Sequence, residues 1–572
     1  MGMPQIESLD PIDDSDWTSE RAAHLLERAG FGGTPEEIAQ ISAMTSSEAV
    51  DAMLLGGDTR NLPEFEESGL WDPTLKDFPP SRPAATELAE RTGEAMGVKV
   101  KPGGSRPLQP VTDRFFFWLR ATILETRRLA FWWIDRMVRS PHPLQEKMTL
   151  FWHGHFATSD EKVRDYRKIR QQIDTMRTGA LGNFGDLLVA VSKDPAMLIF
   201  LDAAQNVKGA PNENFGREVM ELFTMGVGNY TEDDIREAAR AFTGWGNDDL
   251  SYFFDAAKHD SGEKRFLGQR GHLDGEDILR IILEQEQTAI YIASKIYRFF
   301  VRTEISPDLA DRLGALLRDN DYRITPFLRV LFLSEDFYSA PSVATHIKSP
   351  TELIVSTYRK LGVAALPGVP DPNTVGRTLG QVLLHPPTVA GWGEGRAWIT
   401  PGLLFERGNF AQSVLFADMI SFADPNQDPG SVVQRTNRNI TAGMEITAAT
   451  MEDGASPSKA AGIRETYNTR YGSLVGWQEA MRRVKPTPRG AAQFNLSAMV
   501  DAAGAASAAD AVDVLTARFL RVPLTAPTRD ALVRLLKDEL GTDSLAEAES
   551  YMEQPLRLVV HGIMSAPQYQ IA

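Results

Sequence analysis

Between Asn212 and Gly226 the chain reads N-E-N-F-G-R-E-V-M-E-L-F-T-M-G. On a helix turning about 100° per residue, Phe215, Val219, Leu222 and Phe223 form an apolar stripe, and Asn214, Glu218 and Glu221 fall together along its edge. Carboxyl groups three residues apart repel unless a metal, a buried arginine or a shared proton relieves them. Glu218 and Glu221 are therefore candidate catalytic residues, as an acid/base pair or as part of a metal site, and Asn214 is a candidate substrate contact. Arg217, Arg236 and Arg240 supply the structural alternative, an ion-pair network between helices.

A second polar group lies in F-W-H-G-H-F, where His153 and His155 are two of nine histidines in the chain. His-x-His chelates a metal from a strand, whereas on a helix the two rings diverge by about 200°. The segment reads as helical, so both rings can serve one metal only if Gly154 ends the helix. His259 is the third candidate metal ligand, with Asp260 beside it to orient the imidazole. Nitrogen and carboxylate ligands without thiolate suit one divalent transition metal, Zn, Mn or Fe. Trp245, Trp392 and Arg396 are candidate substrate-binding residues, the last two in the glycine-rich run G-W-G-E-G-R. Phosphate-loop, dinucleotide, H-E-x-x-H and G-x-S-x-G motifs are absent, and the S-x-x-K match at Ser456 to Lys459 falls in a loose segment.

These residues need a scaffold, and the composition is that of a globular one: 42% hydrophobic and 24% charged residues over 572 positions. A net charge of −17 argues against general nucleic-acid binding, which needs a basic surface. No run of about 18 apolar residues is present, so no transmembrane helix is expected. The absence of cysteine removes disulfides, thiolate metal sites and a thiol nucleophile. Met1 to Asp16 has neither a basic start nor an apolar stretch, so it is not read as a signal peptide and the default location is cytoplasmic.

Helical periodicity dominates, and the expected fold is all-α: a large multi-helix body with irregular insertions and at most a minor hairpin around Asp249 to Phe266. Residues 1–55 form a capped helical pair, with Thr34-Pro35-Glu36-Glu37 as a capping box. Residues 56–110 read as an irregular Pro/Gly-rich excursion and 111–422 as the main body carrying the site. That body opens with a long Phe- and Trp-rich helix from Thr112 to Val138 and a second one ending near His155. Residues 423–510 read as a flexible insertion, and 511–572 as closing helices.

Taken together, the motifs resemble a bacterial family known as domain of unknown function 1800. The matching stretches are Ala23 to Gly32, Phe151 to Ser159, Asn212 to Thr231, Ala239 to Trp245, His259 to Gly268, Ile347 to Pro350, Pro386 to Trp398 and Ser565 to Gln570. The resemblance implies export or a periplasmic location, and a partner from a neighbouring uncharacterised family, number 1501. The chain departs from it in lacking an export signal, and in carrying Phe223 where relatives place histidine. Three readings stay open: a metal-dependent hydrolase gathering Glu218, Glu221, His153 or His155, and His259; a metal-free glycosidase acting on a saccharide through paired glutamates; and a non-catalytic scaffold or export partner.

Overall fold

A computed structural model describes residues 7–71, 86–95, 97–99, 108–417 and 469–572. The described chain is mainly helical. At the N-terminus α1 (Ser19–Ala29), α2 (Pro35–Ser42) and α3 (Ser46–Leu55) each begin at a threonine cap. At α2 the Thr34 side chain takes the Glu37 amide and Glu37 returns the bond, the capping box read from the sequence. The stretch expected to be irregular carries a helix, α4 (Thr86–Ala95). The aromatic helix α5 (Gln109–Arg139) is followed by α6 (Pro143–His155).

Helices α7 (Asp160–Val163), α8 (Tyr166–Gly179), α9 (Phe184–Ser192) and α10 (Pro195–Phe200) follow; α8 packs on α6, and α7, α9 and α10 pack on α8. Next come α11 (Asn214–Glu218), a π-helix (Val219–Thr224) and α12 (Glu232–Ala241). In place of one minor hairpin there are two, β1 (Trp245–Asp248) with β2 (Ser251–Phe254), and β3 (Lys264–Phe266) with β4 (Gln269–Gly271), both antiparallel.

Seven helices follow: α13 (Gly275–Leu283), α14 (Glu286–Phe300), α15 (Pro307–Asp319), α16 (Ile324–Leu333), α17 (Pro350–Lys360), α18 (Pro372–Leu379) and α19 (Pro401–Leu415). The region expected to be a flexible insertion contains α20 (Thr469–Arg483) and α21 (Leu496–Ala502) in its described part. α20 packs along α5. A side-chain carbon on Gly476 would lie 2.5 Å from the Phe116 carbonyl carbon, so only glycine permits that approach. The chain closes with α22 (Ala508–Phe519), α23 (Ala526–Leu540), α24 (Leu545–Ala548) and α25 (Glu553–Ser565). The S-x-x-K match at Ser456 lies outside the described residues.

The interior holds charge as well as hydrocarbon. Glu27 pairs with Lys348 at 3.0 Å and Lys360 at 2.8 Å, and Glu352 pairs with Lys147 at 3.0 Å; all five residues are at most 3% exposed. Cations outnumber carboxylates here, because the surplus faces helix C-termini, whose last carbonyls lack intrahelical partners and carry partial negative charge. Lys147 donates to Glu27 O and Gly30 O at the end of α1. Arg28 donates to Phe299 O and Phe300 O at the end of α14. Lys360 reaches Phe519 O at the end of α22, and Arg518 reaches Lys360 O at the end of α17. Four helix ends therefore converge on one buried cationic group.

Candidate functional site

Gly154 does not end α6, so His153 and His155 point to different surroundings. His153 is buried and its Nε2 accepts from the Leu384 amide at 3.1 Å, which assigns the ring proton to Nδ1. Trp133 and Trp392 flank the ring at 5.3 and 5.2 Å. His155 donates from Nε2 to Phe223 O at 3.0 Å and lies among Phe151, Phe156 and Phe223. Burial holds His153 near 3, and His155 well below the usual imidazole range, with the charge on Lys295 a second cause for His155.

His259 donates from Nδ1 to Thr243 O at 2.9 Å. Asp260 does not orient it, because Arg240 claims that carboxylate at 2.8 Å and holds it down near 2. Among the described residues no three histidine, aspartate or glutamate side chains come together in a way that could hold a metal. The expected convergence of His153, His155 and His259 with Glu218 and Glu221 as metal ligands is therefore not found. Each imidazole is instead committed to a different backbone group.

The carboxylates sit where α11 widens into the π-helix, a feature common at functional sites. The wide turn leaves carbonyls to outside donors: Tyr291 Oη donates to Leu222 O at 3.0 Å, and His155 to Phe223 O. Glu221 accepts from Arg217 at 3.3 Å and is also hydrogen-bonded by Tyr230. Arg217 in turn spans Glu213 and Glu232. Glu218 is half-buried and takes no hydrogen bond from the described residues; desolvation first, and the Glu221 charge second, raise its pKa. Asn214 is used internally, its side-chain amide donating to Leu201 O.

Of the expected substrate contacts, Trp245 is core rather than platform, being 3% exposed and packed on Phe215, Phe242 and Tyr252. Trp392 is partly exposed and Arg396 fully so. Their loop is anchored to α6: Leu384, at φ +67°, gives its amide to His153 and its carbonyl to the Asp160 amide. Gly391, at φ +85°, lies so close to α6 that a side-chain carbon would stand 2.6 Å from Gly154 O.

Sequence reasoning missed Lys295. This lysine on α14 has no hydrogen bond or ion pair among the described residues, and its ammonium stands 5.4 Å from the Tyr291 ring centre. Burial, opposed by Glu394 and assisted by Arg298, pushes its pKa down to about 8. In sequence it is one lysine of an ordinary amphipathic helix, and only the fold separates it from counter-ions. Amine acylation followed by peptide mapping is expected to show Lys295 labelling that rises through pH 8 and levels off near pH 9, while ordinary lysines, near ~10.4, are still rising. A Lys295 profile that tracks the exposed Lys258 would contradict this environment.

The fold and these sites define an all-α protein in which three sequence motifs, at the end of α6, on the π-helix and in the Trp392 loop, are held against one another. The chain belongs to a family described as protein of unknown function (DUF1800), whose model matches residues 24–571. No curated protein and no solved structure matches it. Among the described residues no helix is long and apolar enough to cross a membrane.

Proposed function

We propose that the protein is a hydrolase working by carboxyl acid–base chemistry, with Glu218 as the acid and Glu221 as the nucleophile or base, and glycosidic bonds as the best-matched substrate class. One observation carries this reading. Two carboxyl groups three residues apart have opposite surroundings, Glu221 ion-paired with Arg217 and Glu218 without a hydrogen-bond or ion-pair partner among the described residues, desolvated and raised in pKa. Divergent environments of this kind separate a proton donor from its partner. Trp392 and Arg396 remain as substrate contacts, both on the surface loop that α6 anchors.

The competing reading is a non-catalytic scaffold or export partner, favoured by the backbone bonds that occupy His153, His155 and His259. Glu218→Gln decides between them. Under the hydrolase reading, turnover of chromogenic aryl glycosides falls by roughly 10²–10⁴. The denaturant midpoint is unchanged or higher, because no partner is stranded. A variant that loses stability, or one that hydrolyses the panel as the parent does, removes Glu218 from the chemistry.

A further inference from the structure

A cleft of about 1060 Å³ opens along α8, and none of its lining residues belongs to the motifs already described. Its floor is one polar stripe of that helix, Arg167, Arg170, Gln171, Asp174, Thr175 and Thr178. The opposite stripe, Tyr166, Ile169, Ile173 and Met176, is buried in the core, so the floor is rigid. Trp71 and Glu67 form one wall, the β1–β2 turn at Asp249 and Leu250 a second, and the start of α9 a third. The volume is at the upper end for small-molecule sites, which suits an extended ligand.

The charges in this cleft are already spent on one another. Arg167 holds Asp165 and Asp249, each at 2.7 Å, with its guanidinium 3.3 Å from the Trp71 ring centre. Arg170 holds Glu67 at 2.9 Å, and Tyr166 Oη donates to the same carboxylate at 3.0 Å. Asp174 is taken by Arg177 at 2.7 Å, with Arg170 at 3.7 Å. Among the described residues no lining guanidinium is left over to capture a phosphate or carboxylate, and of the lining carboxylates only Asp186 lacks a cation, too little for a polyamine.

What the walls do present is a set of fixed donors and acceptors. The Thr175 and Thr178 hydroxyls have no partner among the described residues, and Gln171 spends its amide N–H on Leu250 O at 3.1 Å, which leaves its oxygen to face the cleft. Beside them are two partly exposed apolar side chains, Trp71 and Leu250. Alternating hydroxyl partners and C–H-binding surface, without net charge to satisfy, match a neutral polyhydroxylated chain.

We infer that the α8 cleft binds an oligosaccharide. This does not rest on the Glu218 reading, and binding is expected to be the same in Glu218→Gln. The full chain is titrated calorimetrically with cellohexaose, maltohexaose, chitohexaose and xylohexaose, and with spermine and inorganic phosphate as charged controls. At least one hexasaccharide is expected to bind with a micromolar to millimolar Kd. Thr175→Trp, which fills the cleft from a half-buried helix position, is expected to weaken that binding by at least ~10-fold while the protein still unfolds cooperatively. Gln171→Ala, which removes one fixed acceptor, is expected to weaken it to a lesser degree. The inference is overturned if no hexasaccharide binds at millimolar concentration, if binding is indifferent to both substitutions, or if spermine or phosphate is the ligand that Thr175→Trp displaces.

Discussion

Replacing Glu27 by Gln is expected to lower the unfolding free energy by roughly 3–5 kcal/mol, the usual consequence of removing one partner from a buried ion pair. Glu27 is 2% exposed and is the shared counter-ion of Lys348 and Lys360, both also sealed from water. These ammonium groups hold its carboxyl well below the usual carboxylate range, against a large opposing penalty from burial. An amide accepts hydrogen bonds but does not balance two interior cations. The matched control is Asp308→Asn, which breaks the exposed pair with Arg312 and is expected to shift stability by less than ~1 kcal/mol. Urea unfolding measures both. A Glu27→Gln variant no weaker than the control would mean that the interior cations are balanced by the helix ends alone.

Asp160→Asn is expected to act in the opposite direction, and to depend on pH. Asp160 is 2% exposed; Thr126 Oγ1 donates to one carboxyl oxygen at 2.9 Å, and the other oxygen has no partner. Burial pushes its pKa up to about 7. An unfolded aspartate titrates near ~3.9, so between about pH 4 and pH 7 the unfolded chain has released a proton that the folded one still holds, and stability falls as pH rises at ~1.36 kcal/mol per unit. Below that window the group costs nothing, and above it the full cost is present. Asparagine keeps the Thr126 bond and carries no charge. The variant should therefore be more stable than the parent at pH 8, with the gap roughly 2–3 kcal/mol smaller at pH 5. A gap that does not change with pH would show that Asp160 is not the group responsible.

Local chemistry was readable in the sequence where it is written in neighbouring residues. The Thr34–Glu37 box and the aromatic α5 follow from spacing alone, whereas the divergence of His153 from His155 hung on whether Gly154 ends the helix. α8 hides its helical stripe, Tyr166, Ile169, Ile173 and Met176, among arginine and glutamine, and α9 and α10 are short and mostly apolar, so neither shows a helical period. α20 contains two glycines, which disfavour a helix in isolation by about 1 kcal/mol each, and it forms because those glycines seat it on α5. Neither the π-turn beside Glu218 nor the counter-ion-free position of Lys295 has a local signature. Both are set by contacts between segments distant in the chain: Tyr291 with Leu222, and His155 with Phe223. Glu218 and Glu221 could be named from sequence as a pair, but their unequal surroundings could not.

The buried cationic group also orders events during synthesis. Its members come from Glu27 and Arg28 near the start, Lys147, Phe300, Lys348 and Lys360 along the middle, and Phe519 close to the other end. A chain emerging from the ribosome thus carries ammonium groups destined for the interior long before the helix ends that neutralise them have been made. Until α22 is out, Lys360 has no Phe519 carbonyl to bond and must keep its hydration shell, so water cannot leave this part of the core. Water is accordingly expected to leave this part of the core only once α22 has docked on α17.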